Sequence, residues 1–340
     1  MLKYSTFFET VDDGRVQCVL CPRRCRIGLN RTGSCGTRRN SDGKLEVLTY
    51  GRLSAVAVDP IEKKPLSHFL PGTRTFSVGT DGCNLMCPFC QNASLSQCPL
   101  SSGYDATVVR QWSPDEVVQV ARHHGCDSIA FTYSEPTLAT EFALEVAPLA
   151  KSKGVRIVYV TNGQVAQKPL EQLCLNLSAA NVDLKSFSES VYRTTLKGEL
   201  GATLNAIEKL VDAGVWVEIT TLIVPEMNDS TQELTQIARF IAGVSKDIPW
   251  HVSRFHPAFK RMDVPATDTQ TIFRAMDIGS SAGLQYIYAG NMPMRQGEDT
   301  CCPSCKHVVV ARSGFRVIRM ETRQSKCPKC GQHIAGVGFP

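Results

Sequence analysis

The sequence contains no apolar run long enough to cross a bilayer as a helix, which argues against an integral membrane protein. Its first eight residues lack an apolar core followed by a small-residue cleavage site, so no secretory signal peptide is predicted. Neither sign of charge dominates, because the sequence has 37 Lys and Arg and 32 Asp and Glu. The resulting net charge of +5 does not require an anionic partner. We find no internal repeat or low-complexity tract. These absences favour a globular, cytoplasmic protein.

Cysteine, in contrast, is abundant: the 340 residues include 15 Cys. Most of them fall in C-x2-C or C-x3-C groups, a pattern that indicates metal binding in a reducing compartment rather than a disulfide framework. The groups divide the chain into three predicted parts: a Cys-rich segment and connector (1–75), a core (76–298) and a zinc-ribbon-like appendage (299–340).

The core alternates strand-like and helix-like segments in roughly six units. Such alternation with apolar strands predicts a parallel sheet covered by helices. Six units are too few to close the usual eight-stranded barrel, so the predicted α/β fold is an open, partial (β/α)6 TIM-like barrel. The predicted strands are 75–79, 127–133, 155–160, 180–184, 215–224, 250–255 and 285–289, and the connector contains one more at 44–48. Ser113 and Glu116 predict a capping box at one helix start.

The first strand of the core leads into Cys83, Cys87 and Cys90, a C-x3-C-x2-C triplet with Phe89 before its last Cys. Three thiolates can hold three corners of a [4Fe–4S] cluster and leave the fourth iron without a protein ligand. A zinc knuckle or ordinary buried thiols are the alternatives, but a structural zinc site requires four ligands. We therefore predict a cluster with one open iron.

Polar residues also follow the other predicted strands, where sites lie in parallel α/β folds. Any one of them alone would be read as a helix cap or a turn residue, but their repetition predicts a shared pocket. The residues that we assign to it are Ser134, Glu135, Thr161, Asn162, Asp183, Lys185 and His256.

With these motifs, residues 76–290 resemble the radical S-adenosylmethionine (SAM) core of the glycyl-radical-enzyme activases. The segment Tyr133-Ser134-Glu135-Pro136 resembles the Gly-Gly-Glu-Pro segment that holds the SAM amino group, with Tyr-Ser in place of Gly-Gly. Thr161-Asn162-Gly163 resembles the Asp-Thr-Asn-Gly turn, although Val160 replaces its Asp. Asp183-Leu184-Lys185 matches the Asp-Leu-Lys that contacts the ribose and carboxylate of SAM, and His256 corresponds to a His near the nucleoside.

This resemblance implies that SAM chelates the open iron and that an electron from the cluster breaks its sulfonium bond. The 5′-deoxyadenosyl radical released in this way would take a hydrogen atom from the substrate. No catalytic side chain is assigned beyond the cluster and the SAM site. The open barrel favours a protein or peptide substrate. The alternatives are modification of tRNA or a small metabolite, and a non-catalytic metal-cluster scaffold for partner proteins.

Over nearly its full length the chain is similar to one subfamily, the AmmeMemoRadiSam system radical SAM enzymes. The similarity is carried by Cys18-Val-Leu-Cys21-Pro-Arg-Arg-Cys25, Gly33-Ser-Cys35-Gly36, the triplet and the terminal Cys-Pro-x-Cys pairs. It implies AMMECR-type and Memo-type partner proteins, together with an electron donor.

Two further Cys groups lie outside the core. Cys302, Cys305, Cys327 and Cys330 form a C-x2-C…C-x2-C set that predicts a zinc ribbon with a hairpin around Ser313-Gly314; a rubredoxin-like iron is the alternative. Cys18, Cys21, Cys25 and Cys35 suffice for either an auxiliary [4Fe–4S] cluster or a structural zinc. Basic residues concentrate near both groups (Arg23, Arg24, Arg26, Arg31, Arg38 and Arg39; Arg312, Arg316, Arg319, Arg323, Lys326 and Lys329). We expect solvated surface there, with nucleic acid binding as the less favoured interpretation.

Overall fold

The computed structural model of the protein describes residues 2–292 and 297–340. Met1 and residues 293–296, the latter within the predicted core, lie outside the described residues. The strands are β1 Phe8–Thr10, β2 Val16–Cys18, β3 Arg26–Ile27, β4 Arg38–Ser41, β5 Lys44–Val47, β6 Ala55–Pro60, β7 Arg74–Gly79, β8 Ser128–Phe131, β9 Arg156–Thr161, β10 Ala179–Asp183, β11 Trp216–Ile223, β12 Trp250–Arg254, β13 Ile287–Gly290, β14 Thr300–Cys301, β15 Val308–Ser313 and β16 Arg316–Met320. The helices are α1 Ala93–Ser96, α2 Pro114–His123, α3 Thr140–Ser152, α4 Gln167–Cys174, α5 Glu189–Val191, α6 Leu200–Asp212, α7 Thr231–Val244 and α8 Thr269–Ser281.

An eight-stranded sheet forms the centre of the molecule, in the order β13-β12-β11-β10-β9-β8-β7-β6. Strands β7 to β13 are parallel, and β6 alone runs antiparallel, beside β7. Because β6 and β13 are the two ends of this order, the sheet does not close on itself within the described residues. The predicted α/β fold with an open, parallel-dominated sheet is confirmed.

Local sequence signals position the first long helix as predicted. Ser113 Oγ accepts from the Glu116 backbone N–H at 3.2 Å, and Glu116 Oε2 accepts from the Ser113 N–H at 2.7 Å. This reciprocal pair satisfies two backbone donors that the start of a helix otherwise leaves unpaired. Helix α2 therefore begins at Pro114 and carries the chain back to β8.

Strand β6 is not predicted by the sequence analysis, which treats the region as part of a connector. Its register with β7 runs from Ala55 opposite Gly79 to Pro60 opposite Arg74. Val56 and Val58 are 44% and 38% exposed, so the strand lacks the buried apolar face that would identify it in the sequence. It is held by pairing at the sheet edge, which only the tertiary structure shows.

The expectation that the basic groups are solvated surface is wrong for two of their members. Arg38 is 1% exposed and donates to both carboxylate oxygens of Glu141, each at 2.7 Å. Arg312 is 8% exposed and donates to Ser67 O at 2.7 Å and Thr300 Oγ1 at 2.8 Å. Arg38 joins the N-terminal segment to the core, and Arg312 joins the C-terminal appendage to the connector, so both guanidinium groups are unavailable to nucleic acid.

The C-terminal appendage closes the end of the sheet opposite to the strand ends that carry the predicted site. Glu218, near the start of β11, is fully buried and accepts from the Ser67 and His68 backbone N–H groups at 2.9 and 2.7 Å. His251, at the start of β12, lies 2.7 Å from the same carboxylate. The segment before β7 is thereby fixed against the amino-terminal ends of the strands.

His68 lies at the centre of this closure and is fully buried. Its Nδ1 lies 2.6 Å from Ala335 O and its Nε2 lies 2.6 Å from Tyr288 Oη. A carbonyl can only accept, so Nδ1 carries the proton and Nε2 accepts from the tyrosine. Burial lowers the pKa of His68 to about 4, because the surroundings favour the neutral ring.

This burial predicts a loss of stability in mild acid. The folded-state pKa of His68 lies below the unfolded value of about 6.5, so the unfolded chain binds more protons between these two values. The free energy of unfolding should therefore fall as the pH drops from about 6.5 to about 4, by up to about 3 kcal/mol from this residue. Denaturant titrations of wild type and His68→Gln across this range should give a shallower slope for the variant, whereas His123→Gln on the exposed face of α2 should keep the wild-type slope. Equal slopes for wild type and His68→Gln would contradict the assignment.

Candidate metal and SAM site

The loop between β7 and α1 carries the Cys triplet. Cys87 is 9% exposed, and Cys83 and Cys90 are partly buried. Gly82 opens the loop with φ at 97°, and a Cβ on it would lie 2.5 Å from Thr37 Cγ2, so the loop packs tightly on the N-terminal segment. Burial raises the pKa of Cys87 to about 11, although the ammonium of Lys185 acts in the opposite direction. Without a metal the thiol is therefore neutral at pH 7, and ligation must release its proton.

Glu135, at the end of the β8 loop, is buried and connects two strand ends. Its Oε1 accepts from Thr137 N, Thr137 Oγ1 and Thr161 Oγ1 at 3.0, 2.6 and 2.6 Å, and its Oε2 accepts from Asn162 N at 2.8 Å. Burial raises the pKa of Glu135, while these hydrogen bonds act to lower it. Since internal donors occupy the carboxylate, Glu135 shapes the pocket rather than ligating a metal.

Asn162 connects the β9 end to the Cys loop. Its Nδ2 donates to Asn84 Oδ1 at 2.9 Å and lies 3.7 Å from Cys83 Sγ, while its Oδ1 accepts from Gln164 N at 2.8 Å. Asn84 in turn donates to Gln164 O at 2.7 Å. Three of the predicted residues, Cys83, Glu135 and Asn162, therefore belong to one contiguous network.

Asp183 and Lys185 lie on the other side of the triplet, at the end of β10. Lys185 Nζ lies 2.9 Å from Asp183 Oδ2, and their side chains are 16% and 32% exposed. Burial alone would lower the pKa of Lys185, but the negative charges of Asp183 and of Cys87 in its thiolate form outweigh it and raise the pKa. Lys185 is therefore a fixed cation beside Cys87.

Ser134 and His256 complete the predicted set, with different outcomes. Ser134 Oγ donates to Thr80 O, in the loop that leads to the triplet. His256 is exposed and lies 3.3 Å from Asn291 O, and the described residues give it no contact with Glu135 or Lys185. The loop that follows it nevertheless reaches the Cys loop, since Lys260 N donates to Pro88 O at 2.8 Å.

Tyr133 lies at a position where the resemblance places glycine, and its backbone has the left-handed conformation that favours glycine. Its φ is 71°, a left-handed value that costs a non-glycine residue roughly 1–3 kcal/mol. The ring is held by a 2.7 Å hydrogen bond to Asp59 and by Lys64 Nζ, 4.5 Å above its centroid. Tyr133 O accepts from Asn92 of the Cys loop at 2.8 Å. The replacement of Gly by Tyr therefore preserves the turn and adds contacts to strand β6.

The triplet fits a cluster with one open iron better than it fits a single ion. The two carboxylates that act electrostatically on these thiols are Glu135 on Cys83 and Asp183 on Cys87. Glu135 is occupied by four donors, so it is not free to be a fourth ligand, and Asp183 is paired through Oδ2 with Lys185. The donor set is three thiolates, which suits iron–sulfur coordination.

Comparison with known proteins agrees with this geometry. Residues 77–241 match the Radical SAM superfamily. This part of the chain is a Radical SAM superfamily domain. A [4Fe–4S] cluster and SAM as co-substrate are implied by that membership, and the chain is an enzyme. The match begins in β7 and includes the triplet together with the ends of β8, β9 and β10.

Individual relatives extend the likeness. An uncharacterized protein of Methanocaldococcus jannaschii is 37% identical over 98% of this chain and 99% of its own length. A putative glycyl-radical enzyme activating enzyme of the same organism is 27% identical over 54% of this chain and 76% of its own. GTP 3',8-cyclase of Helicobacter pylori is 29% identical over 44% of this chain, and the match spans only 46% of the cyclase.

Among solved structures, Streptococcus suis SuiB bound to S-adenosylmethionine superposes with a TM-score of 0.50 at 13% identity. The superposition covers 68% of this chain and 53% of SuiB. At this identity the likeness shows the fold alone. Within the described residues, no helix is both long and apolar enough to cross a membrane.

Three buried residues that support the site are absent from the set predicted from the sequence. Asn84, Gln164 and Thr203 are buried, and Gln164 Nε2 donates to Thr203 Oγ1 at 2.8 Å. Asn84 lies inside the Cys motif and Gln164 directly follows the Thr161-Asn162-Gly163 turn, so their positions next to motif residues were the available signal. Thr203, on α6, offered no such signal.

The hydrogen bonds of Glu135 predict that both the charge of its carboxylate and its two acceptor oxygens are required for stability and for SAM binding. Glu135→Gln would direct an NH2 group at existing donors, which should lower the free energy of unfolding by about 1–3 kcal/mol and weaken SAM binding. Equilibrium dialysis of SAM with the reconstituted protein, alongside denaturant titration, would measure both effects. Glu208→Gln, on the exposed face of α6, is the matched control and should leave both quantities unchanged. Wild-type SAM affinity in Glu135→Gln would show that the carboxylate does not organise the pocket.

Proposed function

We propose that this protein holds a [4Fe–4S] cluster on Cys83, Cys87 and Cys90, binds SAM at its open iron and generates a hydrogen-abstracting radical that acts on a protein or peptide substrate. The observation that carries the proposal is the convergence of three strand ends on one triplet. Glu135 and Asn162 lie on the Cys83 side, and Asp183 with Lys185 lies on the Cys87 side. A [4Fe–4S] cluster held there, once reduced by an electron donor, would supply the electron that cleaves the sulfonium bond of SAM, giving methionine and a 5′-deoxyadenosyl radical.

The chain's own residues divide the binding of SAM between them. Lys185 is a largely buried cation that suits the SAM carboxylate, since hydrogen bonds between charged groups are the stronger ones. Asp183 is partly exposed beside it and can accept from the ribose hydroxyls. Ser134 and Thr161 line the β8 and β9 ends, where Glu135 fixes the backbone of the turn, and His256, exposed after β12, is assigned to the nucleoside by the resemblance alone. The buried network beneath these groups excludes water from the reacting centre.

A macromolecular substrate is supported by two observations. The central sheet is open between β6 and β13, and the relatives include a putative glycyl-radical enzyme activating enzyme. We extend this proposal to the AmmeMemoRadiSam system, with AMMECR-type and Memo-type proteins as partners and a cytoplasmic location.

The similarity to GTP 3',8-cyclase supports a small-molecule substrate as the second candidate. Two assays of the reconstituted protein distinguish the macromolecular from the small-molecule substrate. The first is cross-linking to candidate partner proteins, and the second is turnover of GTP.

Replacement of one triplet ligand tests the chemistry directly. In Cys87→Ala the open-iron cluster cannot assemble, so formation of 5′-deoxyadenosine from SAM and dithionite should fall to background in an anaerobic assay. Cys174→Ala, a half-buried thiol on α4, is the matched control and should retain wild-type turnover. Turnover retained by Cys87→Ala would refute the assignment of the triplet.

We also propose zinc at the C-terminal four-Cys set. Cys302 Sγ lies 3.5 Å from Cys330 Sγ, and Cys305 Sγ lies 3.6 Å from Cys327 Sγ. A Zn–S bond of about 2.3 Å places neighbouring sulfurs of a tetrahedron about 3.8 Å apart, close to these separations. The hairpin of β15 and β16 lies between the two C-x2-C pairs, as in a zinc ribbon.

Loss of one ribbon ligand should release this metal. Cys305→Ser is expected to reduce zinc from about one per chain to near zero and to expose residues 299–340 to protease, because such sites supply folding energy. Elemental analysis and limited proteolysis measure the two effects. Cys301→Ser, the neighbouring thiol outside the set, should keep both zinc and protease resistance. Zinc content unchanged in Cys305→Ser would contradict the assignment.

A further inference from the structure

The N-terminal segment gathers its four cysteines around one small pocket. Cys18 ends β2, Cys25 precedes β3, and the Cys18 N–H donates to Cys25 O at 2.9 Å, which brings the two ends of the loop together. The Gly33 backbone lies beside Cys25, since a Cβ there would lie 3.2 Å from Ile27 Cδ1 and 3.6 Å from Cys25 Sγ. The pocket is lined by Cys18, Cys21, Cys25 and Cys35, together with Arg38 and Asn84.

The spacing of these thiols differs from that of the C-terminal set. In the part of the chain that the structure describes, Cys302, Cys305, Cys327 and Cys330 are the one group of three or more metal-ligating side chains whose ligand atoms all lie within 4.8 Å of one another. The N-terminal four share a pocket without meeting that separation. A single zinc ion needs its four sulfurs at the corners of a small tetrahedron. In a [4Fe–4S] cube each thiolate binds a different iron, so the four sulfurs stand farther apart.

Arg38 adds an independent sign that the pocket holds an acceptor. The residue is 1% exposed, and two of its nitrogens are occupied by Glu141 and Leu138 O. Its Nε, however, has no hydrogen-bond partner among the described residues. A buried donor without a partner is costly, and the sulfur atoms of an iron–sulfur cluster are acceptors that would satisfy it.

We propose that Cys18, Cys21, Cys25 and Cys35 bind a second [4Fe–4S] cluster, with all four irons ligated by protein, directly behind the loop of the SAM-binding triplet. With no open iron, this cluster cannot bind SAM. The assignment of the metal stands on the pocket alone, whereas its position behind a second cluster rests on the proposed function.

The two sites share a wall. Asn84, which follows Cys83, lines the N-terminal pocket, and its carbonyl accepts from Arg23 Nη1 at 3.4 Å. A Cβ at Gly82 would lie 3.2 Å from Cys35 O. One layer of backbone therefore separates the pocket from the triplet loop, and two paramagnetic clusters so placed would broaden each other's electron paramagnetic resonance (EPR) signals.

Metal analysis of the anaerobically reconstituted full chain is the first test. We expect about eight iron, about eight sulfide and one zinc per chain, since each [4Fe–4S] cluster contributes four of each. The double variant Cys21→Ala/Cys25→Ala should lose half of the iron and keep the SAM-dependent EPR signal, and Cys174→Ala should lose none. Four iron with two zinc, or four iron with one zinc, in the wild type would overturn the proposal.

The complementary variant keeps the proposal testable if the double variant does not fold. Replacing Cys83, Cys87 and Cys90 by Ala should leave about four iron and, after reduction by dithionite, a [4Fe–4S] EPR signal that SAM does not alter. Relative to this variant, the reduced wild type should show broadened lines. An iron-free triple variant would overturn the N-terminal cluster. If instead the triple variant keeps its cluster while the wild type never cleaves SAM, the proposed function fails and this inference stands.

Discussion

The carboxylate of Glu135 is buried, pairs with no cation among the described residues, and is satisfied by four hydrogen bonds from two neighbouring strand ends. Burial of a charge is tolerated only when its acceptor sites are filled, so the loops after β8 and β9 must take one arrangement relative to each other. Asn162 transmits that arrangement to the Cys loop through Asn84 and Cys83. The shape of the pocket therefore depends on a carboxylate whose two oxygens both accept from neighbouring loops.

The same loop contains backbone strain, which strand β6 compensates. Tyr133 has a left-handed backbone at a position where glycine would be unstrained, and its hydroxyl and ring are held by Asp59 and Lys64. Burial would raise the pKa of Asp59, but hydrogen bonds from Lys63, Lys64 and Tyr133 outweigh it and hold the pKa well below its usual range. Asp59 lies in β6, so this edge strand contributes to the site although it carries none of the motif residues.

Much of the fold and of the site follows from local sequence signals, and the remainder does not. Each of these features is indicated by residues that lie close together in the sequence: the Ser113 capping box, the parallel strands, and the positions of Glu135, Asn162 and Lys185 at strand ends. Strand β6 escapes such reasoning because Val56 and Val58 are exposed and its pairing partner decides its state. Arg38 escapes it too, since its partner Glu141 is 103 residues away in the chain. Local patterns place a residue on an element, but they do not identify a distant partner.

One end of the central sheet is covered and the other is partly exposed, and this difference determines from which side a substrate can reach the site. At the amino-terminal ends of the strands, Glu218 binds the segment before β7, and His68 joins that segment to the C-terminal appendage through Ala335 O. At the carboxyl ends, the side chains of Asp183 and Lys185 remain partly exposed. A substrate must therefore approach from the carboxyl ends of the strands or across the open edge. The C-terminal appendage lies at the closed end, so the strand ends that carry the motif residues stay accessible.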